Sequence, residues 1–189
     1  MKKIVYDTYY HQDEYFGQPY PGLITFFTDH EPKGHVLDLG CGQGRGALAL
    51  GKLGYTVVGI DHSSVGIAKL NQLAAHDHMA VEDSVADVYD YPISNHVDFV
   101  LLDSMLHFQK NDLKKETDFV NRILTHLRTG GMFVNCMLQS SDREQTLKNI
   151  IANSPYHFEI RVDTYTDYAE AKAKFHLLVV NKLDSKIEP

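Results

Sequence analysis

Short runs of β-branched and apolar residues alternate with longer stretches whose apolar positions recur at helical spacing, and this alternation organises the chain. Val36-Leu37-Asp38-Leu39 reads as a short buried strand that runs straight into glycines. A helix follows over about 45–53 and stops at Gly54, a residue suited to a helix C-terminus. Thr56-Val57-Val58-Gly59-Ile60 is a second strand, and Ser63 or Ser64 caps a helix with Ile67, Leu70 and Ala74 on one face. Residues 79–81 read as a short third strand that meets the polar run Glu82-Asp83-Ser84. Val97-Asp98-Phe99-Val100-Leu101-Leu102 is a stronger fourth. The next helix starts near Asp112, carries Val120, Ile123, Leu124 and Leu127 on one face, and ends at Thr129-Gly130-Gly131. Met132 opens the fifth strand, and Ser141-x-x-Glu144 has the spacing of a capping box. The pattern closes with strands near 158–162 and 175–180, too near each other for a long helix between them and therefore expected to pair antiparallel.

These units predict an α/β fold: a parallel sheet with helices on both faces, closed by an antiparallel C-terminal hairpin. In such sheets the ligand sits outside the carboxyl ends of the strands, at the point where strand order reverses. The loops after Leu39, Ile60 and Leu102 are therefore the expected site, before any motif is considered.

Composition narrows the partners. A chain of 189 residues is long enough to bury a core without disulfides. Eighteen Lys and Arg against twenty-five Asp and Glu give a net charge of −7, and no basic cluster stands out, so a nucleic-acid partner is not expected. Cys41 and Cys136 lie far apart within apparent core strands and loops, where a free thiol behaves as a small apolar group. The start Met1-Lys2-Lys3-Ile4 has no apolar stretch behind it, and no segment approaches a membrane span, so the expectation is a cytoplasmic protein with no membrane partner. His76-x-His78 lacks further ligands, and no metal is expected.

The glycine loop Asp38-Leu39-Gly40-Cys41-Gly42-Gln43-Gly44-Arg45-Gly46 occupies the predicted position. A dinucleotide fingerprint starting at Gly40 fails, because its third glycine falls on Arg45. Starting at Gly42 it reads Gly42-x-Gly44-x-x-Ala47, a tolerated variant, and Asp61 stands where a ribose-binding acid belongs. Spacing alone thus permits a nicotinamide cofactor. Asp38 argues against it: a carboxylate at the mouth of the first strand suits a cationic ligand group better than a pyrophosphate.

Four motifs in order resemble those of class I S-adenosylmethionine-dependent methyltransferases. They are Val36-Leu37-Asp38-Leu39-Gly40-Cys41-Gly42-Gln43-Gly44; Val58-Gly59-Ile60-Asp61-His62-Ser63; Val97-Asp98-Phe99-Val100-Leu101-Leu102-Asp103-Ser104; and Leu127-Arg128-Thr129-Gly130-Gly131-Met132-Phe133. Within the class, Tyr15-Phe16-Gly17, Gly44-Arg45 and Gly54-Tyr55-Thr56-Val57 most resemble tellurite-resistance and thiopurine-type small-molecule methyltransferases. The resemblance implies a Rossmann-like three-layer sandwich with a mostly parallel seven-stranded sheet. It implies a single methyltransferase domain over 1–189, with an N-terminal helical or lid segment at 1–34 and a catalytic core at 35–189. It implies S-adenosyl-L-methionine as cofactor and a small-molecule methyl acceptor.

Carried over residue by residue, Asp38 acts on the amino-acid end of the cofactor, and Gly40, Cys41, Gly42 and Gly44 line it. Asp61 accepts the ribose hydroxyls, and His62 lies beside the adenine. Asp87 meets the adenine amine, in competition with Glu82 and Asp83, and Val88 offers a main-chain N–H. Asp103 and Ser104 flank the methionine portion. Each residue has a plainer reading beside this one: Asp38 as a strand-end carboxylate, Asp61 as a helix cap, Asp87 as a solvated acid. His107 follows the fourth strand and is either a general base for the acceptor or a structural histidine. Tyr10, Tyr15, Phe16 and Tyr20 belong to a dense aromatic segment that serves either as a lid over the ligand or as core. The function expected is methyl transfer to a small molecule; the alternatives are a non-catalytic S-adenosylmethionine-binding protein and a nicotinamide-dependent oxidoreductase.

Overall fold

The computed structural model describes residues 5–185. Residues 1–4, read above as the charged start, and residues 186–189 lie outside the described residues. The helices are α1 (Val5–Tyr10), α2 (Pro21–Asp29), α3 (Arg45–Lys52), α4 (Ser64–His76), α5 (Leu113–His126) and α6 (Ser141–Ala152). The strands are β1 (His35–Leu39), β2 (Thr56–Asp61), β3 (Val81–Val85), β4 (Phe99–Asp103), β5 (Met132–Leu138), β6 (Tyr156–Tyr168) and β7 (Ala173–Ser185). They form one seven-stranded sheet in the order β3-β2-β1-β4-β5-β7-β6. The predicted α/β architecture with an antiparallel closing hairpin is thus the observed one.

By its internal contacts the chain divides into two compact units, Met1–Tyr91 and Pro92–Pro189. In the first, β1 runs parallel to β2 with Val36 opposite Val57 and Asp38 opposite Gly59, and β2 runs parallel to β3. The apolar positions predicted for α4 are buried, and the Ser63 hydroxyl accepts the Gly66 N–H to cap it. The third strand departs from expectation: it begins at Val81 and continues through Glu82-Asp83-Ser84. As the terminal strand of the sheet it needs only the β2 ladder and one half-covered face, so Glu82 and Ser84 face outward while Asp83 is half-buried.

In the second unit β4 and β5 are parallel, and β7 is antiparallel to β5 with Phe133 opposite Val180. The closing hairpin is longer than its apolar stretches suggested. β6 and β7 pair out to Tyr168 and Ala173, joined by a 3-10 turn at Ala169–Ala171. Polar residues along the outer strand hide this extension from a pattern based on hydrophobicity. The capping box is also displaced. Ser140 is the N-cap of α6, Glu144 accepts the Ser140 N–H at 2.8 Å, and the same carboxylate accepts the Tyr165 hydroxyl at 2.8 Å. Both cysteines are free and buried.

Two lysines close helix C-termini from a distance. Lys33 donates to the carbonyls of Phe27, Thr28 and His30 beyond α2. Lys182 on β7 is 4% exposed and donates at 2.8 Å to the carbonyls of Leu124, Thr125 and Leu127 at the end of α5. Its ammonium also lies 3.5 Å from the centre of the Tyr156 ring. The last carbonyls of a helix lack intrahelical donors and carry partial negative charge, so a cation held there satisfies both needs. Lys182→Met keeps the apolar stem and strands those carbonyls. We expect it to destabilise the protein by about 1–3 kcal/mol, read as a lower urea midpoint with an unchanged slope. An unchanged midpoint would contradict this role.

Candidate active site

β1 ends in a tight loop that is fixed by β2. The N–H groups of Gly40 and Cys41 both donate to the Ile60 carbonyl, at 2.7 and 3.1 Å, and the Gly44 N–H donates to the Cys41 carbonyl at 2.8 Å. Gly42 (φ +56°) and Gly44 (φ +88°) take the left-handed conformation that side chains disfavour. A Cβ on Gly42 would lie 2.5 Å from the Tyr10 hydroxyl, and one on Gly44 would lie 2.4 Å from Leu70 Cδ1. Side chains at 42 and 44 are therefore excluded by Tyr10 and Leu70, which pack against the loop.

Two buried carboxylates flank it. Asp38 is 1% exposed and Asp61 5%. Asp61 Oδ2 accepts the Gly42 N–H at 3.0 Å, and its Oδ1 accepts the Ser63 N–H at 2.8 Å. A carboxylate offers about four acceptor sites, so about two remain for hydroxyls of a ligand. Burial, then the charges of Asp38 and Asp61, push the Cys41 thiol well above its ordinary range. Cys41 is therefore a neutral packing group, and Gly59 on β2 leaves room for its sulfur: a Cβ there would approach it to 2.9 Å.

The acids predicted for the adenine separate in space. Glu82 and Asp83 lie within β3, where Asp83 accepts the Asn71 amide at 2.8 Å and burial raises it above the usual carboxylate range. Asp87 lies in the turn after β3, exposed, with its Oδ1 accepting the Tyr89 N–H at 2.9 Å. That turn is tied to β2, because the Ala86 N–H donates to the Asp61 carbonyl at 3.0 Å. Val88 is buried. His62 is exposed, with its Nδ1 3.8 Å from Asp61 Oδ1.

The N-terminal aromatics do not share one role. Tyr10 is 6% exposed and packs over Gly42 and Gly66. Burial, then the Asp61 charge, raise its phenol far above the ordinary range, so it stays protonated. Phe16 lies 6.0 Å from the Tyr10 ring, edge to face. Tyr15 stacks on Tyr9 at 4.9 Å and is 40% exposed. Tyr20 is fully buried beneath the Arg45 guanidinium, 4.5 Å from its ring centre.

In the second unit, Asp103 ends β4 and accepts the Ser104 hydroxyl at 3.0 Å. Ser104 has a left-handed backbone (φ +61°), held by its N–H on the Cys136 carbonyl at 2.8 Å. Such strain in a non-glycine residue is a common feature of functional loops. The exposed His107 follows. Its N–H and that of Phe108 both donate to the carboxylate of Glu116, which is buried on α5. Sequence reasoning missed Glu116. The only signal was a charged residue on the face of α5 that carries Val120, Ile123 and Leu124.

Residues 7–176 match the family model of the tellurite resistance protein TehB. A probable S-adenosyl-L-methionine-dependent methyltransferase TehB of Haemophilus influenzae (strain 10810) is 31% identical over 107 residues, covering 57% of this chain and 37% of that protein. The cypemycin N-terminal methyltransferase of a Streptomyces species is 30% identical over 122 residues, covering 62% of this chain and 49% of that protein. The chain thus spans half or less of the length of these relatives. Among solved structures, Haemophilus influenzae TehB superposes with a TM-score of 0.68 at 23% identity, covering 85% of this chain and 62% of that one. The Burkholderia thailandensis 1,6-didemethyltoxoflavin-N1-methyltransferase, with its namesake compound and S-adenosylhomocysteine bound, gives a TM-score of 0.70 at 18% identity, covering 87% and 78%. At these identities the likeness establishes the Rossmann-like fold of class I methyltransferases. The family match extends from the N-terminal aromatic helix through the glycine loop and into the closing hairpin, and on that ground the chain belongs to the TehB family.

Proposed function

We propose that the chain is an S-adenosyl-L-methionine-dependent methyltransferase acting on a small molecule. One observation carries the reading: two buried carboxylates, Asp38 and Asp61, flank a glycine loop, and Asp61 is bonded directly to its Gly42 N–H. Buried negative charge repels a pyrophosphate and attracts an ammonium or sulfonium. The acceptor sites left on Asp61 suit a ribose diol, and in this reading the loop of Gly40, Cys41, Gly42 and Gly44 lines the nucleoside. The residues therefore fit the cofactor that the family resemblance implies. His62, Asp87 and Val88 take the adenine side in this reading. Family membership and the small substrate named for the Burkholderia protein support a small acceptor.

When bound, the cofactor supplies a methyl group already activated by its sulfonium, so the protein needs no nucleophile of its own. Its residues have to orient the acceptor in line and exclude water, and positioning of this kind contributes about 7–11 kcal/mol in favourable cases. The strained Ser104 and the Glu116 carboxylate hold the backbone before and at His107, and His107 is the candidate base for acceptors that lose a proton. The two free thiols suit a reducing compartment, and we place the protein in the cytoplasm.

S-adenosylmethionine and S-adenosylhomocysteine at about 100 times Kd should stabilise the protein by roughly 2.7 kcal/mol, or about 5–10 °C in a melting scan. Asp61→Ala should weaken binding by about 10²-fold in calorimetry, roughly 2.7 kcal/mol. No heat and no shift with either nucleoside would overturn the assignment. A panel containing a thiol, an N-hydroxy heterocycle and tellurite, read by S-adenosylhomocysteine release, tests the acceptor class. His107→Ala should slow turnover by about 10²–10⁴-fold for acceptors that must lose a proton, and leave tellurite methylation, which uses a lone pair, near wild type. Equal losses for both kinds would remove His107 from the role of base.

A further inference from the structure

Between Tyr10 and Pro21 the chain forms only turns and bends, so its place depends on side chains reaching it from elsewhere. One of these is Gln43, inside the glycine loop. It stands between the left-handed Gly42 and Gly44. Its Nε2 donates to the carbonyls of Tyr10 at 2.9 Å and Gln12 at 2.7 Å, and its Oε1 accepts the Tyr15 N–H at 3.3 Å. Two carbonyls on one side and an N–H on the other allow this amide a single orientation, with both donor hydrogens used. Arg45 adds bonds to the Phe16 carbonyl at 2.9 Å and the Tyr20 hydroxyl at 3.0 Å. Lys69 on α4 donates to the His11 carbonyl at 3.1 Å and pairs with Asp13, and the Ser63 hydroxyl bonds Asp7.

The segment is thus fastened to the same loop that presents its N–H to Asp61. Gly42 is at once the partner of the Asp61 carboxylate, the floor beneath the Tyr10 ring and the neighbour of Gln43. A shift of the loop moves all three, and a shift of the segment reaches the loop through Gln43.

We propose that Gln43 is a positioning residue that couples the N-terminal segment to the cofactor loop, so that seating the segment and holding the nucleoside are one equilibrium. The identity of the nucleoside rests on the proposed function; the clasp itself rests on the geometry alone. Coupling of this kind is reciprocal: the factor by which the seated segment tightens the ligand is the factor by which the ligand protects the segment. Gln43 touches the segment rather than the reacting atoms, so its effect falls on ligand retention.

Gln43→Glu tests this with almost no change of shape. It removes both donors and sets a carboxylate against two carbonyls, while Gln43→Ala removes the amide without adding charge. Hydrogen exchange of the full chain, with and without S-adenosylhomocysteine, reads the segment, and stopped-flow binding reads the ligand. In both variants the amides of 9–17 should exchange roughly tenfold faster, and S-adenosylhomocysteine should dissociate roughly tenfold faster, within the usual range of such couplings. Exchange in β1, β2 and β5 should stay within about twofold of wild type, and the association rate should not fall. Wild-type protection of 9–17 in both variants overturns the clasp. A loosened segment with an unchanged dissociation rate overturns the coupling. A wild-type protein that binds no S-adenosylhomocysteine overturns the functional reading and the coupling with it, and the exchange data then decide the clasp independently.

Discussion

The carboxylate of Asp61 is the joint on which the first unit turns. One oxygen holds the Gly42 N–H and the other the Ser63 N–H, so a single side chain at the end of β2 fixes both the glycine loop and the approach to α4. Its main chain is used as well, since the Asp61 carbonyl receives the Ala86 N–H from the turn after β3. Three loops at the carboxyl ends of three parallel strands are therefore registered against one residue. The parallel ladder sets up this convergence by placing Asp38 opposite Gly59 and Leu39 opposite Ile60.

The same arrangement determines what chemistry the loop can serve. Two carboxylates buried within a few residues of the glycines make the surroundings hostile to phosphate and welcoming to a cation. They also act on neighbouring groups: burial, then Asp38 and Asp61, raise the Cys41 thiol, and burial, then Asp61, raise the Tyr10 phenol, so both stay protonated. Neither is available as an anionic nucleophile. What remains is a packed glycine loop, the Asp61 carboxylate and the Tyr10 ring over Gly42, a set that in the proposed function binds and orients without forming a covalent intermediate. Methyl transfer from a sulfonium asks for that kind of site.

Elements built on continuous apolar runs were legible in the sequence. Val36-Leu37-Asp38-Leu39 and Val97-Asp98-Phe99-Val100-Leu101-Leu102 read as strands because interior strands are covered on both faces, and the stripe of α4 read as a helix because one face is core. The boundaries that drifted most belong to the terminal strands β3 and β6, where the ladder continues through residues that solvent tolerates, and to β7, which pairs with β6 along its whole length; β4 also starts at Phe99 rather than Val97. Asp61 and the glycines were singled out by motif spacing, and the structure brings the Asp61 carboxylate onto the Gly42 N–H. Gln43 and Glu116 were not given roles. Their bonds to Tyr10, Gln12 and Tyr15, and to His107 and Phe108, join backbone groups to side chains with no periodic signature. Tyr20 illustrates the converse: its position in an aromatic-rich stretch left lid and core both open, and its full burial under Arg45 gives it a packing role.

In the proposed function the acceptor sites left on Asp61 hold the ribose of a sulfonium nucleoside. The decisive measurement is a crystal structure of the full chain with S-adenosylhomocysteine. Both ribose hydroxyls should lie within hydrogen-bond distance of the Asp61 carboxylate, with the nucleoside along 40–44. A nucleoside bound elsewhere, or a dinucleotide with its pyrophosphate on the glycine loop, would contradict it.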